Sequence, residues 1–217
     1  MTTLAPPLCA RTSPFVALHR PDDAAPAALV EGGLNILDLS CAPRLRTVLA
    51  PADPAVSLPV PGAALRGRHG WLVARLSAGG VIALPSPTQA PLSVQARGDE
   101  AAWPIAPGPA CDPGFAHGYW LYCVGASAPA LFRHGCETDM RPGCFGDLSV
   151  CQTRLFATSV LVLREDWGGR PGYHLLGCGS YAQHMEKTMQ NLMARYGGAV
   201  LTPGQLAMDG AEPLAQF

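Results

Sequence analysis

The residues best suited to chemistry lie in one stretch, where His134 and Cys136 are followed by Cys144 and Cys151. Histidine and cysteine bind structural zinc, and a cysteine beside a histidine is the pattern of a thiol nucleophile. Zinc ligands usually come in closely spaced pairs, whereas these gaps are long and uneven. Cys136 is also expected just past a helix C-terminus, where the helix dipole favours the neutral thiol. We therefore assign no catalytic residue and no metal ligand.

Other polar residues near this stretch are better suited to binding than to catalysis. Trp167-Gly-Gly-Arg170 is expected to form a hairpin tip, and Trp and Arg are both enriched at protein interfaces. We predict Trp167, Arg170 and Arg154 as interface residues; an ordinary solvated turn is the alternative for the first two. The glycines form no dinucleotide-binding fingerprint, so the isolated chain is expected to bind no flavin.

The second half of the chain gives the clearest structural pattern. Strands are predicted at Tyr119–Val124, Thr158–Arg164 and Tyr173–Cys178, because these runs are aromatic or β-branched. A short helix is predicted between Ser127 as N-cap and Gly135. A longer helix is predicted from Ser180 to Tyr196, opened by a capping box of Ser180 and Gln183. Its Met-rich apolar stripe is interpreted as core, with a binding groove as the alternative.

The first half gives weaker predictions. Strands are expected at Ser13–Arg20 and at Leu34–Leu39, the latter half-buried because apolar and polar residues alternate. Ala42–Ala50 is predicted as a short helix. Trp71–Leu76 and Val81–Leu84 are expected to form a hairpin. Residues 1–12 are expected to be a flexible arm, 13–200 one domain or two lobes split near 85–115, and 201–217 a loose tail.

Mixed strands and helices with repeated hairpins indicate an α+β fold with mainly antiparallel sheets and flanking helices. Only 14% of residues are charged, against 48% hydrophobic. One interpretation is that a partner subunit covers part of the surface. The alternative is that the high Ala, Pro and Gly content alone explains the low share of charge. The net charge of −1 disfavours nucleic-acid binding. Without a recognisable secretory signal or membrane span, we expect a cytoplasmic protein with reduced, mostly buried cysteines.

Several motifs of the second half resemble those of one family. These are Gly125 to Gly135 followed by Cys136, then Cys151-Gln-Thr-Arg154, the run Val160–Arg164 and the closing helix. Together they resemble the gamma subunit of heterotetrameric sarcosine oxidase, which is related to the folate-binding domain of the glycine-cleavage T protein. The resemblance covers about eighty residues.

The resemblance implies a T-protein-like folate-binding-domain fold and a subunit role. In that family the larger subunits hold FAD, FMN, NAD and tetrahydrofolate, and the gamma chain packs against them. We therefore expect a non-catalytic accessory subunit of an oxidative N-demethylase, in a hetero-oligomer that acts on sarcosine or another methylated amine. The alternative is a stand-alone protein of the T-protein type that binds tetrahydrofolate or transfers a methyl group.

Overall fold

Two β-sheets form the framework of the computed structural model, which describes residues 13–15, 18, 28–42, 44–47, 58–67, 70–77, 80–88 and 118–209. The larger sheet has the strand order β10-β1-β6-β9-β8-β7, and the smaller has the order β2-β5-β4-β3. Their strands are β1 (Asn35–Asp38), β2 (Leu45–Thr47), β3 (Ala64–Arg66), β4 (Trp71–Ser77), β5 (Gly80–Pro85), β6 (Tyr119–Val124), β7 (Val150–Leu155), β8 (Thr158–Arg164), β9 (Gly172–Gly177) and β10 (Val200–Leu201).

The helices with defined bounds lie in the second half of the chain. A 3-10 helix covers Ala128–His134, and a 3-10 turn at Gly179–Tyr181 leads into the helix α1 (Ala182–Tyr196). A second helix, α2, covers Pro203–Asp209. Among these described helices, none is long and apolar enough to cross a membrane.

Pairing between the described strands is antiparallel except where β10 joins β1 in parallel. This confirms the predicted α+β class with mainly antiparallel sheets and flanking helices.

The large sheet is buried on both faces along its central strands. On β6, Trp120 and Tyr122 point towards the small sheet and help to form what we call the inter-sheet core. Tyr119 and Leu121 point the opposite way, into the helix-side core. Three residues of the predicted α1 stripe lie in that second core and are buried, namely Met185, Met189 and Leu192. The interpretation of the stripe as core is confirmed for them, whereas Tyr181 is 50% exposed.

Strand predictions in the second half are confirmed, and so is the β4–β5 hairpin. The prediction of a helix at Ala42–Ala50 is wrong, because Leu45–Thr47 pairs with β5 from Leu45↔Ala83 to Thr47↔Val81. Hydrogen bonding to a distant strand has overridden the local helical pattern there. The strand Leu34–Leu39 is confirmed as β1, but its burial is not one-sided, since Asn35, Ile36 and Leu37 are all buried.

Two capping predictions are wrong. Ser127 does not cap the 3-10 helix, because its hydroxyl donates to the Gly32 carbonyl instead. Ser180 lies inside the 3-10 turn, and α1 begins after Tyr181 without a side-chain cap.

Both ends of the described chain also depart from prediction. Of the predicted strand Ser13–Arg20, residues 13–15 and 18 are described and form no strand, and the others lie outside the described residues. Phe15 N donates to the Ser13 hydroxyl at 3.0 Å. The expected loose tail contains α2, and its start is fixed by a reciprocal capping box in which Thr202 N donates to Gln205 Oε1 at 2.6 Å. Leu206 then anchors α2 in the inter-sheet core. Residues 1–12 and most of the proposed split at 85–115 lie outside the described residues.

Candidate functional site

A chain of polar side chains crosses the inter-sheet core. Trp120 on β6 donates its indole N–H to His174 Nδ1 at 3.0 Å, and His174 Nε2 lies 2.8 Å from Glu165 Oε2. The other Glu165 oxygen binds Arg66 Nη1, which comes from β3 of the small sheet. Arg66 in turn lies 3.9 Å from Asp147. The set Trp120–His174–Glu165–Arg66, here called the buried network, therefore ties the two sheets together.

Geometry fixes where the protons lie in the buried network. An indole N–H can only donate, so His174 Nδ1 must accept and Nε2 must carry the proton that binds Glu165. Glu165 then faces two donors, His174 and Arg66, as an ionised carboxylate does. The Tyr122 hydroxyl donates to the backbone oxygen of Glu165 at 2.8 Å, and burial raises the pKa of Tyr122 well above its ordinary value.

A glycine makes this arrangement possible. A Cβ on Gly172 would lie 2.1 Å from Tyr122 Oη and 2.2 Å from the Glu165 carbonyl oxygen, so any larger residue would break their contact. His174 and Glu165 are both fully buried. Trp120, His174 and Glu165 are thus enclosed by protein, whereas Arg66 reaches the surface. This geometry supports a role in holding the two sheets together.

A second polar cluster holds the irregular segment 136–148 against the large sheet. Arg164, only 6% exposed, forms a bidentate pair with Asp166 at 2.7 and 2.6 Å. It also donates to the carbonyls of Phe145 at 2.6 Å and Pro142 at 3.2 Å. This ion pair raises the pKa of Arg164. Arg164 therefore holds the segment 136–148, which carries Cys136 and Cys144, against the large sheet.

The residues of the zinc and thiol hypotheses do not assemble into a site. His134 binds the Tyr196 hydroxyl at 2.6 Å, and Cys136 Sγ lies 3.9 Å from the Thr153 hydroxyl. Within the described ranges no three His, Cys, Asp or Glu side chains are placed to hold a metal. Burial raises the pKa of Cys151 to about 11, the opposite of what a nucleophile requires.

Six cysteines are described, and no disulfide joins any two of them. The expectation that they are mostly buried is wrong, because only Cys123 is fully buried while Cys41, Cys144 and Cys178 are exposed. Cys123 is also the thiol whose pKa burial raises to about 12. Cys9 and Cys111 lie outside the described residues.

The three predicted interface residues are not brought together. Trp167 and Arg170 face each other across a two-glycine turn, with Gly168 at φ 55° and Gly169 at φ 73°. Trp167 packs against the inter-sheet core, and its indole N–H is buried with no acceptor among the described residues. Arg170 pairs with Glu31 at 3.3 Å.

Arg154 lies near the end of β7, where it pairs with Ser159 at the start of β8. The Trp167–Arg170 turn follows the other end of β8. It pairs with Glu137 at 3.8 Å, and both side chains are more than half exposed. This pair borders an open, polar cavity of about 600 Å³ at the outer edge of β7, lined by Glu137, Thr138, Gln152, Thr153, Arg154 and Ser159.

Backbone strain is concentrated at the two ends of β7. Leu148 precedes the strand at φ 60°, and Phe156 and Ala157 follow it at φ 49° and 64°. These are the three non-glycine residues with positive φ in the described chain. Phe156 and Ala157 form the two-residue turn between β7 and β8, a position that usually takes Asn-Gly because both residues need positive φ.

Comparison with known proteins shows which solved structures are similar to this architecture. No family model and no curated protein matches the sequence. Among solved structures, a chain of the heterotetrameric sarcosine oxidase from Corynebacterium sp. U-96, in complex with pyrrole 2-carboxylate, is similar over 88% of this chain and 99% of that chain, with 19% identity and a TM-score of 0.61. The two chains share a fold. The resemblance found in the sequence is thus confirmed at the level of fold.

A second solved structure is more distant. The aminomethyltransferase T of the glycine cleavage system from Bartonella henselae is 13% identical, with a TM-score of 0.49. The match covers 81% of this chain but only 50% of that protein.

Sequence reasoning missed the buried network entirely. The signal that was available is His174, which lies in a strand of apolar residues on the same face as Leu176. A polar ring at a buried strand position requires partners, but the sequence does not say that they are Trp120 and Glu165.

Proposed function

We propose that this chain is a non-catalytic accessory subunit, of the gamma type, in a flavin-dependent oxidative N-demethylase. The observation that carries the proposal is the fold shared with nearly the whole length of one chain of a heterotetrameric sarcosine oxidase. That enzyme is an assembly by name, and the matched chain is one of its parts. In the proposed complex the larger subunits hold the flavins, the nicotinamide cofactor and tetrahydrofolate, and the assembly is cytoplasmic.

Two features of the chain support a subunit role. Its surface is poor in charge, since charged residues make up 14% of the sequence and Arg164, Glu165, Arg44 and Glu186 are buried. Obligate interfaces are depleted in charge in the same way. The most prominent acid–base group, His174 with Glu165, is enclosed between the sheets and serves the fold.

The test is purification of the affinity-tagged chain from its native cells under mild conditions. We expect larger subunits with a flavin absorbance spectrum to co-purify and the complex to oxidise an N-methylated amine such as sarcosine. The chain expressed alone should show neither flavin nor activity. Recovery of the chain without any flavoprotein, or with a stoichiometric flavin of its own, would contradict the proposal.

The same material tests the alternative function. If the chain is a stand-alone tetrahydrofolate-binding protein, calorimetric titration of the isolated chain with tetrahydrofolate should show saturable binding. We expect no heat of binding from the isolated chain, because the proposal places folate in the larger subunits.

A further inference from the structure

The outer edge of β7 is covered at both ends by the chain itself. At one end, Val150 N donates to the Gly62 carbonyl at 2.9 Å, within an isolated bridge between Ala63 and Ser149. At the other end, Glu137 N donates to the Arg154 carbonyl at 3.2 Å, next to a bridge between Cys136 and Leu155. The backbone groups of residues 150 and 154 therefore point outward, away from β8.

One outward-pointing residue remains between these two covers. Strand residues alternate in the direction of their N–H and C=O groups, so Gln152 points outward like residues 150 and 154. Within the described residues, neither its N–H nor its C=O has a backbone partner. Native proteins usually cover or block such an edge, and here the covering hydrogen bonds are missing between the Val150 N–H and the Arg154 C=O. Within the described residues, the opening therefore offers two backbone donors, the N–H groups of Gln152 and Arg154, and two acceptors, the C=O groups of Val150 and Gln152.

The space in front of this residue is open and polar. The cavity of about 600 Å³ described above lies there, and a second cavity of about 380 Å³ shares Glu137 and Thr138 with it. Gln152 and Arg154 are exposed, and so is Ser159 on the neighbouring strand. The small sheet therefore leaves this part of the large sheet uncovered.

The charge beside the opening is available for another partner. Arg154 and Glu137 are 61% and 66% exposed, and their closest N–O distance of 3.8 Å is too long for a hydrogen bond. Such a pair contributes little to stability, so exchanging Glu137 for a better-placed carboxylate has a small energetic cost. Arg154 can then form a bidentate pair with that carboxylate.

We propose that the β7 edge at Gln152 receives one extended segment of a partner subunit. One residue of that segment forms a two-hydrogen-bond bridge with Gln152, and a neighbouring Asp or Glu of the segment pairs with Arg154. This proposal rests on the proposed function, because it names the surface through which the accessory subunit meets its complex. It also gives Arg154, predicted as an interface residue from the sequence, a specific role.

The shape of the opening favours a single segment over a second copy of this chain. The uncovered edge between the two flanking covers is about 13 Å long, from four strand steps of about 3.3 Å each. If two β7 edges approached each other, the covering backbone at Gly62 and Glu137 of each copy would meet the other copy first. A single extended segment entering the cavity avoids that collision.

The experiment compares backbone and side-chain variants in the complex purified with its flavin-containing subunits. Gln152→Pro removes the outward N–H, which has no backbone acceptor within the described residues, and proline is tolerated at such edge positions. Gln152→Ala keeps the N–H and is the matched control. We expect Gln152→Pro to raise the dissociation constant for the flavin-containing subunits about tenfold, and Gln152→Ala to change it less than about threefold.

A charge reversal tests the second contact. Arg154→Glu should also weaken binding about tenfold, because it sets like charges against each other. Lys187→Glu makes the same charge change at an exposed position of α1, which packs on the opposite face of the large sheet, and should bind like the wild type. Thermal melting of each variant checks that it folds. If Gln152→Pro does not fold, the comparison of Arg154→Glu with Lys187→Glu tests the inference.

Hydrogen exchange gives an independent measurement without substitution. The Gln152 amide should exchange rapidly in the isolated chain and become protected in the complex. Unchanged exchange at Gln152, or wild-type binding by both Gln152→Pro and Arg154→Glu, would overturn the inference and leave the proposed function standing. A wild-type chain that retains no flavin-containing subunit would overturn both.

Discussion

Replacing Glu165 with Gln tests whether the buried network is a clamp between the sheets. The amide is the same shape as the carboxylate but turns one acceptor into a donor. Glu165 now accepts from Arg66 on one oxygen and from His174 on the other, at 2.8 Å. His174 cannot supply an acceptor instead, since its Nδ1 already accepts from Trp120. The new side-chain amide nitrogen in Glu165→Gln must therefore face a donor inside the core.

The cost follows from these contacts. Losing a charge-assisted hydrogen bond removes roughly 1.5–3 kcal/mol, and leaving a buried donor unpaired costs roughly 1–3 kcal/mol. Removing one partner of a buried ion pair typically costs about 3–5 kcal/mol. Arg66 is 33% exposed and can turn towards water, which favours the lower end. We expect Glu165→Gln to reduce the free energy of unfolding by about 3 kcal/mol.

Urea unfolding followed by tryptophan fluorescence measures this change. Asp147→Asn is the matched control, because Asp147 is 42% exposed and lies 3.9 Å from the same arginine, and it should cost less than about 1 kcal/mol. The urea slope should be unchanged in both variants. A loss below about 1 kcal/mol for Glu165→Gln, or one equal to that of the control, would show that the network does not hold the sheets together.

Three further outcomes follow from local geometry. Ala157→Gly relieves a positive φ of 64° at an exposed turn position and should raise the unfolding free energy by about 1 kcal/mol in the same assay; a destabilised variant would contradict the strain argument. Trp167→Ala removes packing on the inter-sheet core and should lower the unfolding free energy by about 2–3 kcal/mol. Trp167→Phe keeps a ring and removes the unpaired N–H, so its unfolding free energy should be nearly unchanged. Equal losses in the two variants would mean that the ring does not pack there. The bidentate pair with Arg141 holds the pKa of Asp139 well below its ordinary value, so Arg141→Ala should raise the carboxyl pKa measured by NMR titration, and an unchanged titration would mean that the pair is absent in solution.

Sequence reasoning succeeded where local pattern and final environment agree. Tyr119–Val124 and Thr158–Arg164 consist of aromatic and β-branched residues, and both are strands. It failed where pairing with a distant strand determines the secondary structure. Leu45–Thr47 is a strand because it pairs with β5, and its local sequence does not indicate this pairing. The buried network is the extreme case, because Arg66 and Glu165 are 99 residues apart in the chain. For the candidate interface, the residue type of Arg154 pointed to binding, but only the register of β7 reveals the open edge beside it.

The placement of charge connects the stability of this chain to its proposed assembly. The sequence has 15 basic and 16 acidic residues, and among the described ones Arg44, Arg164, Glu165 and Glu186 are buried. Each is held by fixed partners, as in the bidentate pair of Arg164 with Asp166 or the bond from Leu18 N to Glu186 Oε1 at 3.0 Å. These four charged residues are withdrawn from the surface of a chain that is already poor in charge. A loosely paired, exposed arginine beside an unsatisfied strand edge stands out on such a surface, and a partner segment supplying a carboxylate and an extended backbone would satisfy both.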